Sequence, residues 1–340
     1  MKKVLFALAA VVALAACSKE ETIIADKGAA IGFDTFVENS TRSVDDKSLN
    51  NGNLADFAVF GTVTKEDTAL IFDNVEVTGE GVGANANWSY ASQYTQYWIA
   101  GATYNFAAVA PYDDYNASYA NATTTFEFTN DGVTDLLYAE ATQIEGQDGS
   151  GNPAAPANGK VAFSFRHVLS KIKFSFENQY NASGSSIAVR NIVLTNAHQT
   201  ATATLNANTA WALDAATFEI PFGDAETVNN DILETIAQNK ELESYNARFI
   251  IPSAVNYTYV VSFDVDIVYG STVVETYHHT ANVAFAPAAG TSYDIKTIIK
   301  ASNIDPTKSQ EPIEFTVTTV NEWGTDNTST QGTINPVQNN

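Results

Sequence analysis

Val161-Ala-Phe-Ser-Phe165 and Lys171-Ile-Lys-Phe-Ser-Phe176 place apolar residues at every second position, with small, polar or charged residues between them. A period of two sends alternate side chains to opposite faces of an extended chain, whereas a helix needs a period near 3.6. Both stretches therefore read as strands with one face buried. Upstream, Phe57-Ala-Val-Phe-Gly-Thr-Val-Thr64, Leu70 to Val77, Tyr104 to Ala110 and Thr123 to Thr129 extend the pattern. Pro111-Tyr-Asp-Asp-Tyr115 breaks one of them and Asn130-Asp-Gly132 turns another. Downstream come Ile187 to Leu194, Thr200 to Leu205, Phe249 to Ile251, Tyr257 to Tyr269, Val273 to Phe285, Tyr293 to Lys300 and Ile313 to Val320. Asp231 to Lys240 is read as a helix, with Ile232, Leu233 and Ile236 on one face and Asn230 as its cap. Gly146 to Gly159, rich in Gly, Pro and Ala, is a domain linker or a long hairpin loop. Many short strands split by one break predict an all-β chain of two antiparallel sandwiches in tandem, with a short helix in the second.

Composition agrees. A chain of 340 residues is long enough for two domains. With 45% hydrophobic and 16% charged residues, charge-driven disorder is excluded over most of its length. Lys and Arg number 17 against 39 Asp and Glu, a net charge of −22, which argues against binding nucleic acid phosphates or an anionic membrane surface. The one Cys permits neither an intrachain disulfide nor a Cys-rich zinc site.

The N-terminus carries the sharpest local signal. Met1-Lys2-Lys3 is basic, and Val4 to Ala16 is an apolar run too short to span a bilayer but of signal-peptide length. Cys17 follows Leu14-Ala-Ala16, which resembles a bacterial lipobox, so residues 1–16 are expected to be a lipoprotein signal peptide and Cys17 the lipidated residue. Ser18-Lys19-Glu20-Glu21 resembles the Lys-plus-acidic signal that sends Bacteroidetes lipoproteins to the outer face of the outer membrane. No other run approaches the length of about 18 apolar residues needed to cross a membrane, so attachment is expected through lipid alone. Ile31 to Val37 reads as a strand with Ile31, Phe33, Thr35 and Val37 on one face, set apart by the polar stretch Glu38 to Asn53.

Candidate chemistry is sparse. Gly79-Glu-Gly-Val-Gly-Ala84 matches the letters of a dinucleotide fingerprint but opens on no helical period, so it reads as a loop. His278 and His279 are strand neighbours whose side chains point apart and cannot readily share a metal. His167 and His198 have no acidic or His partner at a suitable spacing. Asp113-Asp114 and the pair Asp264 and Asp266 read as solvated faces rather than acid/base pairs. Asp67-Thr-Ala69 resembles a Bacteroidetes O-glycosylation acceptor. No catalytic constellation, metal or cofactor is expected, and the chain reads as a non-enzyme.

Five segments in order resemble the fimbrillin family of Bacteroidetes: Trp98 to Tyr112, Asp135-Leu-Leu-Tyr-Ala139, Phe165-Arg-His-Val-Leu-Ser-Lys-Ile-Lys-Phe174, Gly290-Thr-Ser-Tyr-Asp-Ile-Lys296 and Ile313 to Trp323. The resemblance implies two transthyretin-like β-sandwich domains. It also implies export as a surface lipoprotein, Arg-specific removal of an N-terminal strand, and filling of the vacated groove by a strand of the next subunit. Mapped here, the cleavage falls between Arg42 and Ser43, the removable strand is Ile31 to Val37, and 17–42 is a propeptide. The sandwiches are then 43–158 and 159–323, followed by a polar tail at 324–340. The tail departs from a donor strand, since only Ile334 and Val337 are apolar after Gly324. The implied function is a fimbrial subunit mediating adhesion, with other subunits and the outer membrane as partners. The alternative is a non-polymerising lipid-anchored adhesin, a tip or anchor subunit that binds a host protein or glycan.

Overall fold

The computed structural model describes residues 29–37, 54–80, 87–145, 160–225, 235–244, 246–304, 311–320 and 333–334. Strands β1 (Gly32–Val37), β2 (Asp56–Thr64), β3 (Thr68–Glu80), β4 (Asn87–Tyr90), β5 (Thr103–Ala110), β8 (Leu137–Glu145) and β9 (Lys160–His167) form one sheet in the order β1-β9-β8-β5-β2-β3-β4. One of its faces is covered by a four-stranded sheet, β13-β12-β7-β6, built from β6 (Ser118–Ala120), β7 (Thr123–Thr129), β12 (Thr200–Leu205) and β13 (Ala210–Leu213). Together these make the first lobe. Strand β2 explains why its sequence is a continuous apolar run: Phe57 and Val59 enter one core, while Ala58 and Phe60 enter the core against the four-stranded sheet. A strand buried on both faces has no wet side to alternate with.

The second lobe packs β15-β10-β19-β20-β21, with β16 also on β10, against β14-β11-β17-β18. Its strands are β10 (Ser170–Gln179), β11 (Ser185–His198), β14 (Thr217–Gly223), β15 (Glu241–Glu243), β16 (Arg248–Ile250), β17 (Tyr257–Tyr269), β18 (Thr272–Phe285), β19 (Ser292–Lys300), β20 (Phe315–Val320) and β21 (Thr333–Ile334). Phe174, Phe176, Phe222, Phe263 and Phe315 meet in its core.

The all-β architecture is as the sequence predicts, with three corrections. The sheets do not divide at 158/159. Strand β9 completes the first sheet, and the β12–β13 hairpin pairs with β7, so the chain crosses between lobes after β9, after β11 and after β13. β8 and β9, on either side of 146–159, pair antiparallel within one sheet, and 146–159 itself lies outside the described residues. Two pairings are parallel, β1 with β9 and β10 with β19. Finally, residues 235–240, the described part of the expected helix, are not helical: they hold one β-bridge and then a turn, closed by Lys240 N–H on Ala237 O at 3.0 Å. Ile236 bridges Ile187 through backbone bonds in both directions, at 2.6 and 3.2 Å, and is buried as a strand residue would be. The short helix of this lobe is instead a single turn, Ala301–Ile304.

The first crossing runs through the fully buried Val168 and Leu169. Val168 N–H donates to Leu136 O at 3.0 Å, and Leu169 O accepts from Gly290 N–H at 2.8 Å. Beside it, His167 Nδ1 lies 2.5 Å from Asp135 Oδ2, both buried. This is the acidic partner that local spacing does not reveal. The Asn130 turn docks here too: its amide donates to Phe249 O and its Oδ1 accepts from Gly132 N–H.

Candidate functional site

The first strand is the element on which a strand-exchange function turns, and its surroundings define the candidate site. On one side β1 runs parallel to β9, with Phe33 opposite Val161 and Thr35 opposite Phe163. On the other side the residues leading into it meet the segment after β4. Ile31 N–H donates to Gln96 O at 2.9 Å, Trp98 N–H donates to Ala29 O at 3.1 Å, and Ala30 bridges Tyr97. The first strand thus fills the gap between the two ends of a curled sheet.

Alternation decides what it buries. Ile31, Phe33 and Thr35 are 1%, 1% and 9% exposed, as their shared face predicts. Val37 ends the strand, and its side chain lies outside the described residues. Phe33 is the anchor. Its ring stacks on Phe163 at 5.6 Å and meets Phe57, Phe72, Tyr90 and Phe106 at centroid distances of 5.5 to 6.5 Å. Each such pair contributes about 0.5–1.5 kcal/mol beyond burial. Tyr90 Oη donates to Ile31 O at 2.6 Å, and burial, the largest influence, pushes its phenol pKa up, which keeps it a donor. On the wet face, Lys160 Nζ reaches Asp34 Oδ1 at 2.9 Å, its stem lying across Gly32.

Residues the sequence reading leaves unassigned, Tyr90, Trp98, Phe106 and Phe163, supply most of the walls. Trp98 belongs to a quoted segment but carries no pattern that marks it as a wall. Cys17, Ser18, Lys19, Glu20, Glu21, Arg42 and Ser43 lie outside the described residues. The other three arginines are held by the fold. Arg166 in β9 donates to Asn206 O and lies over the Tyr138 ring at 4.9 Å. Arg190 in β11 pairs with Asp266 at 2.8 Å, and Arg248 in β16 donates to Pro221 O at 2.7 Å.

The remaining sequence candidates are scattered. Gly79 and Glu80 end β3, which pairs antiparallel with β4, and the rest of the motif, 81–84, lies outside the described residues. Gly79 is required by packing: a Cβ there would lie 2.7 Å from the Trp88 ring opposite it. His278 and Asp264 are cross-strand neighbours with Nδ1 and Oδ1 2.5 Å apart, while His279 turns the other way and stacks on Phe263. His198 Nδ1–H donates to Asp214 O at 3.0 Å. Asp113 and Asp114 are exposed, and Thr68 sits at the exposed end of the β2–β3 hairpin. Among the described residues, no group of three or more His, Cys, Asp or Glu gathers as a metal site would require, and no helix is long and apolar enough to cross a membrane.

A family model described as fimbrillin-like matches residues 41–323. The chain belongs to the fimbrillin-like family. Among solved structures, a fimbrial protein from Bacteroides vulgatus ATCC 8482 is similar at 17% identity and a TM-score of 0.58, over 85% of this chain and 98% of that one. A candidate cell adhesion protein from Bacteroides ovatus ATCC 8483 is similar at 12% identity and a TM-score of 0.52, over 88% of this chain and 99% of the other. At these identities the likeness is one of fold. A search of curated proteins returns no match. The fimbrillin-like match begins at residue 41, one residue before Arg42 and after the whole of β1.

Proposed function

We propose that this fimbrillin-like chain is a fimbrial subunit of the cell surface that mediates adhesion. It is exported as an outer-membrane lipoprotein on Cys17, with Ser18 to Glu21 as the export signal. Cleavage between Arg42 and Ser43 then frees the β1 segment, and a strand from another subunit takes its place. The observation that carries the reading is the first strand itself. It is joined to the rest of the lobe only through residues 38–53, yet it fills an aromatic groove. Burying Ile31 and Phe33 contributes about 1.5–3 kcal/mol each, so a vacated groove is an unstable state that an incoming strand relieves. That the other three arginines are engaged within strands supports Arg42 as the bond an Arg-specific protease reaches first.

The apolar-poor tail favours a second reading, in which the chain accepts a strand or sits at a fimbrial end without donating one. The two separate on incubation of purified protein with an Arg-specific protease, followed by N-terminal sequencing and native gels. A new N-terminus at Ser43 with ladders of oligomers is the result expected of a polymerising subunit. Cleavage without oligomers selects the terminal or anchor subunit. Filaments from a chain whose Arg42 bond stays intact overturn the processing model.

A further inference from the structure

A cavity of about 530 Å³ opens beside the β3–β4 hairpin; it shares Tyr90 with the first-strand groove, and the reading above uses none of its other lining residues. Its size lies within the range of about 300–1,000 Å³ typical of small-molecule sites. Three separate pieces of chain build it. Strand β3 contributes Asn74 and Glu76, the link after β4 contributes Gln93 and Tyr94, and the segment after β5 contributes Tyr112.

Each piece is held in place. Asn74 sits in a bulge at φ +49°, where β3 carries extra residues against β2. Bulges re-aim side chains and Asn tolerates that backbone. The Asn74 amide N–H donates to Asp113 O at 3.1 Å, which fastens the bulge to the Tyr112 segment, and its Oδ1 is left without a partner in the fold. Tyr112 N–H donates to Asp56 Oδ1 at 2.7 Å, and Tyr115 Oη donates to Pro111 O at 2.8 Å. Tyr94 ends a single 3₁₀ turn, Ser92–Tyr94, closed by Thr95 Oγ1 on Ser92 O at 2.8 Å. Tyr94 is 44% exposed.

The chemistry of the lining selects a ligand class. An exposed phenol ring offers a flat apolar surface with a polar tip. Amides and hydroxyls both donate and accept, as sugar hydroxyls do, and an ammonium group only donates. Among the described residues, no Lys, Arg or His lines the cavity. Burial and then Glu76, Asp114 and Asp113 raise the Tyr112 phenol pKa, so carboxylates surround this mouth. That field repels phosphate, sulfate and sialic acid. Another cavity, about 480 Å³ along β19 and β20, is the contrast: among its lining residues are Lys296, Lys300, Glu311 and Glu314, and none is aromatic.

We propose that the Tyr94–Tyr112 cavity is a binding site for a neutral saccharide, with one pyranose ring against Tyr94 and its hydroxyls on Asn74, Glu76 and Gln93. The proposal gives the adhesive part of the reading above a ligand class and rests on that part alone. Binding is measured on uncleaved monomer, so a negative result leaves strand exchange standing, and a chain that never polymerises leaves this site standing. The probes are immobilised galactose-, N-acetylglucosamine- and mannose-terminated oligosaccharides, a sialylated set and an oligolysine peptide. Binding to at least one neutral glycan is expected, falling about tenfold in Tyr94→Ala, as loss of a stacking contact requires. Gln93→Ala should also weaken it, while Tyr269→Ala, an exposed tyrosine of the other lobe, should not. Both cavity residues are exposed, and circular dichroism verifies that the variants fold. Absence of neutral-glycan binding, binding unchanged in Tyr94→Ala, or a preference for sialylated glycans or oligolysine overturns the proposal.

Discussion

In the first lobe the parallel partner of β9 is β1, a segment near the N-terminus with nothing but residues 38–53 tying it onward; in the second lobe the parallel partner of β10 is β19, which pairs with β20 on its other side and follows β18 in the chain. Both strands are deeply buried. Phe33 is as enclosed as Ile295 or Ile299. What differs is connection. Taking β19 out would drag β20 and the helical turn after it, whereas one backbone cut frees the first strand. Exchangeability is therefore a property of where a strand lies along the chain more than of how tightly it packs.

The lobes can be tested against each other. The largest effect is expected from separating them: a fragment of residues 160–340 loses β7, the partner of β12, and leaves β9 without β8. It should show no cooperative transition on urea titration followed by circular dichroism. A fragment that unfolds cooperatively would restore a boundary near 158. Next, Phe33→Ala and Phe174→Ala should each cost about 3–5 kcal/mol. Only the first should also hasten proteolysis at Arg42, since only that substitution loosens the strand that precedes this bond.

How far the sequence carries the reader differs between those two phenylalanines. Phe174 lies in a stretch whose alternation alone predicts its burial. Phe33 is equally legible as a buried residue of a strand, but its partners Phe57, Phe72, Tyr90, Phe106 and Phe163 span 57 to 163 in sequence, and no periodicity encodes which strands will meet. The parallel pairings and three lobe crossings are lost for the same reason. The spacing of Ile232, Leu233 and Ile236 fits a helix face, but Ile236, the one of the three among the described residues, satisfies its backbone on Ile187 instead. The pairing of His167 with Asp135 escapes because the two sit 32 positions apart. The Tyr94 cavity escapes because its residues come from three segments.

Smaller effects sharpen the comparison further. Gly79→Ala forces a methyl group against Trp88 and should destabilise the first lobe by about 1–3 kcal/mol, read as a shift in the urea midpoint. In the second lobe, burial raises the Asp294 pKa even though Ser175 Oγ donates to its Oδ1 at 2.6 Å. A carboxyl with a raised folded pKa favours the fold below its unfolded value and loses that contribution as pH rises through the folded one. Asp294→Asn should therefore be at least as stable as the parent at pH 7, with the gain vanishing near pH 3 in paired thermal melts. Smallest of all, Lys160→Ala removes a half-exposed ion pair to Asp34 and should cost under about 1 kcal/mol, less still in high salt. A larger loss would show that the lysine stem over Gly32, rather than its charge, clamps the first strand.

The three crossings after β9, β11 and β13 have a mechanical meaning. Two bodies joined by one strand of chain can swing, and tension peels them apart at that single point. Here three passes of backbone bridge the seam, and the first of them is buried at Val168 and Leu169 with carbonyls and amides engaged on both sides. A pull that separates the lobes is divided among the three passes, so the seam resists load better than a single linker would. In a filament whose units joined end to end, extension under drag would come from the junctions between subunits, and each subunit would keep its length.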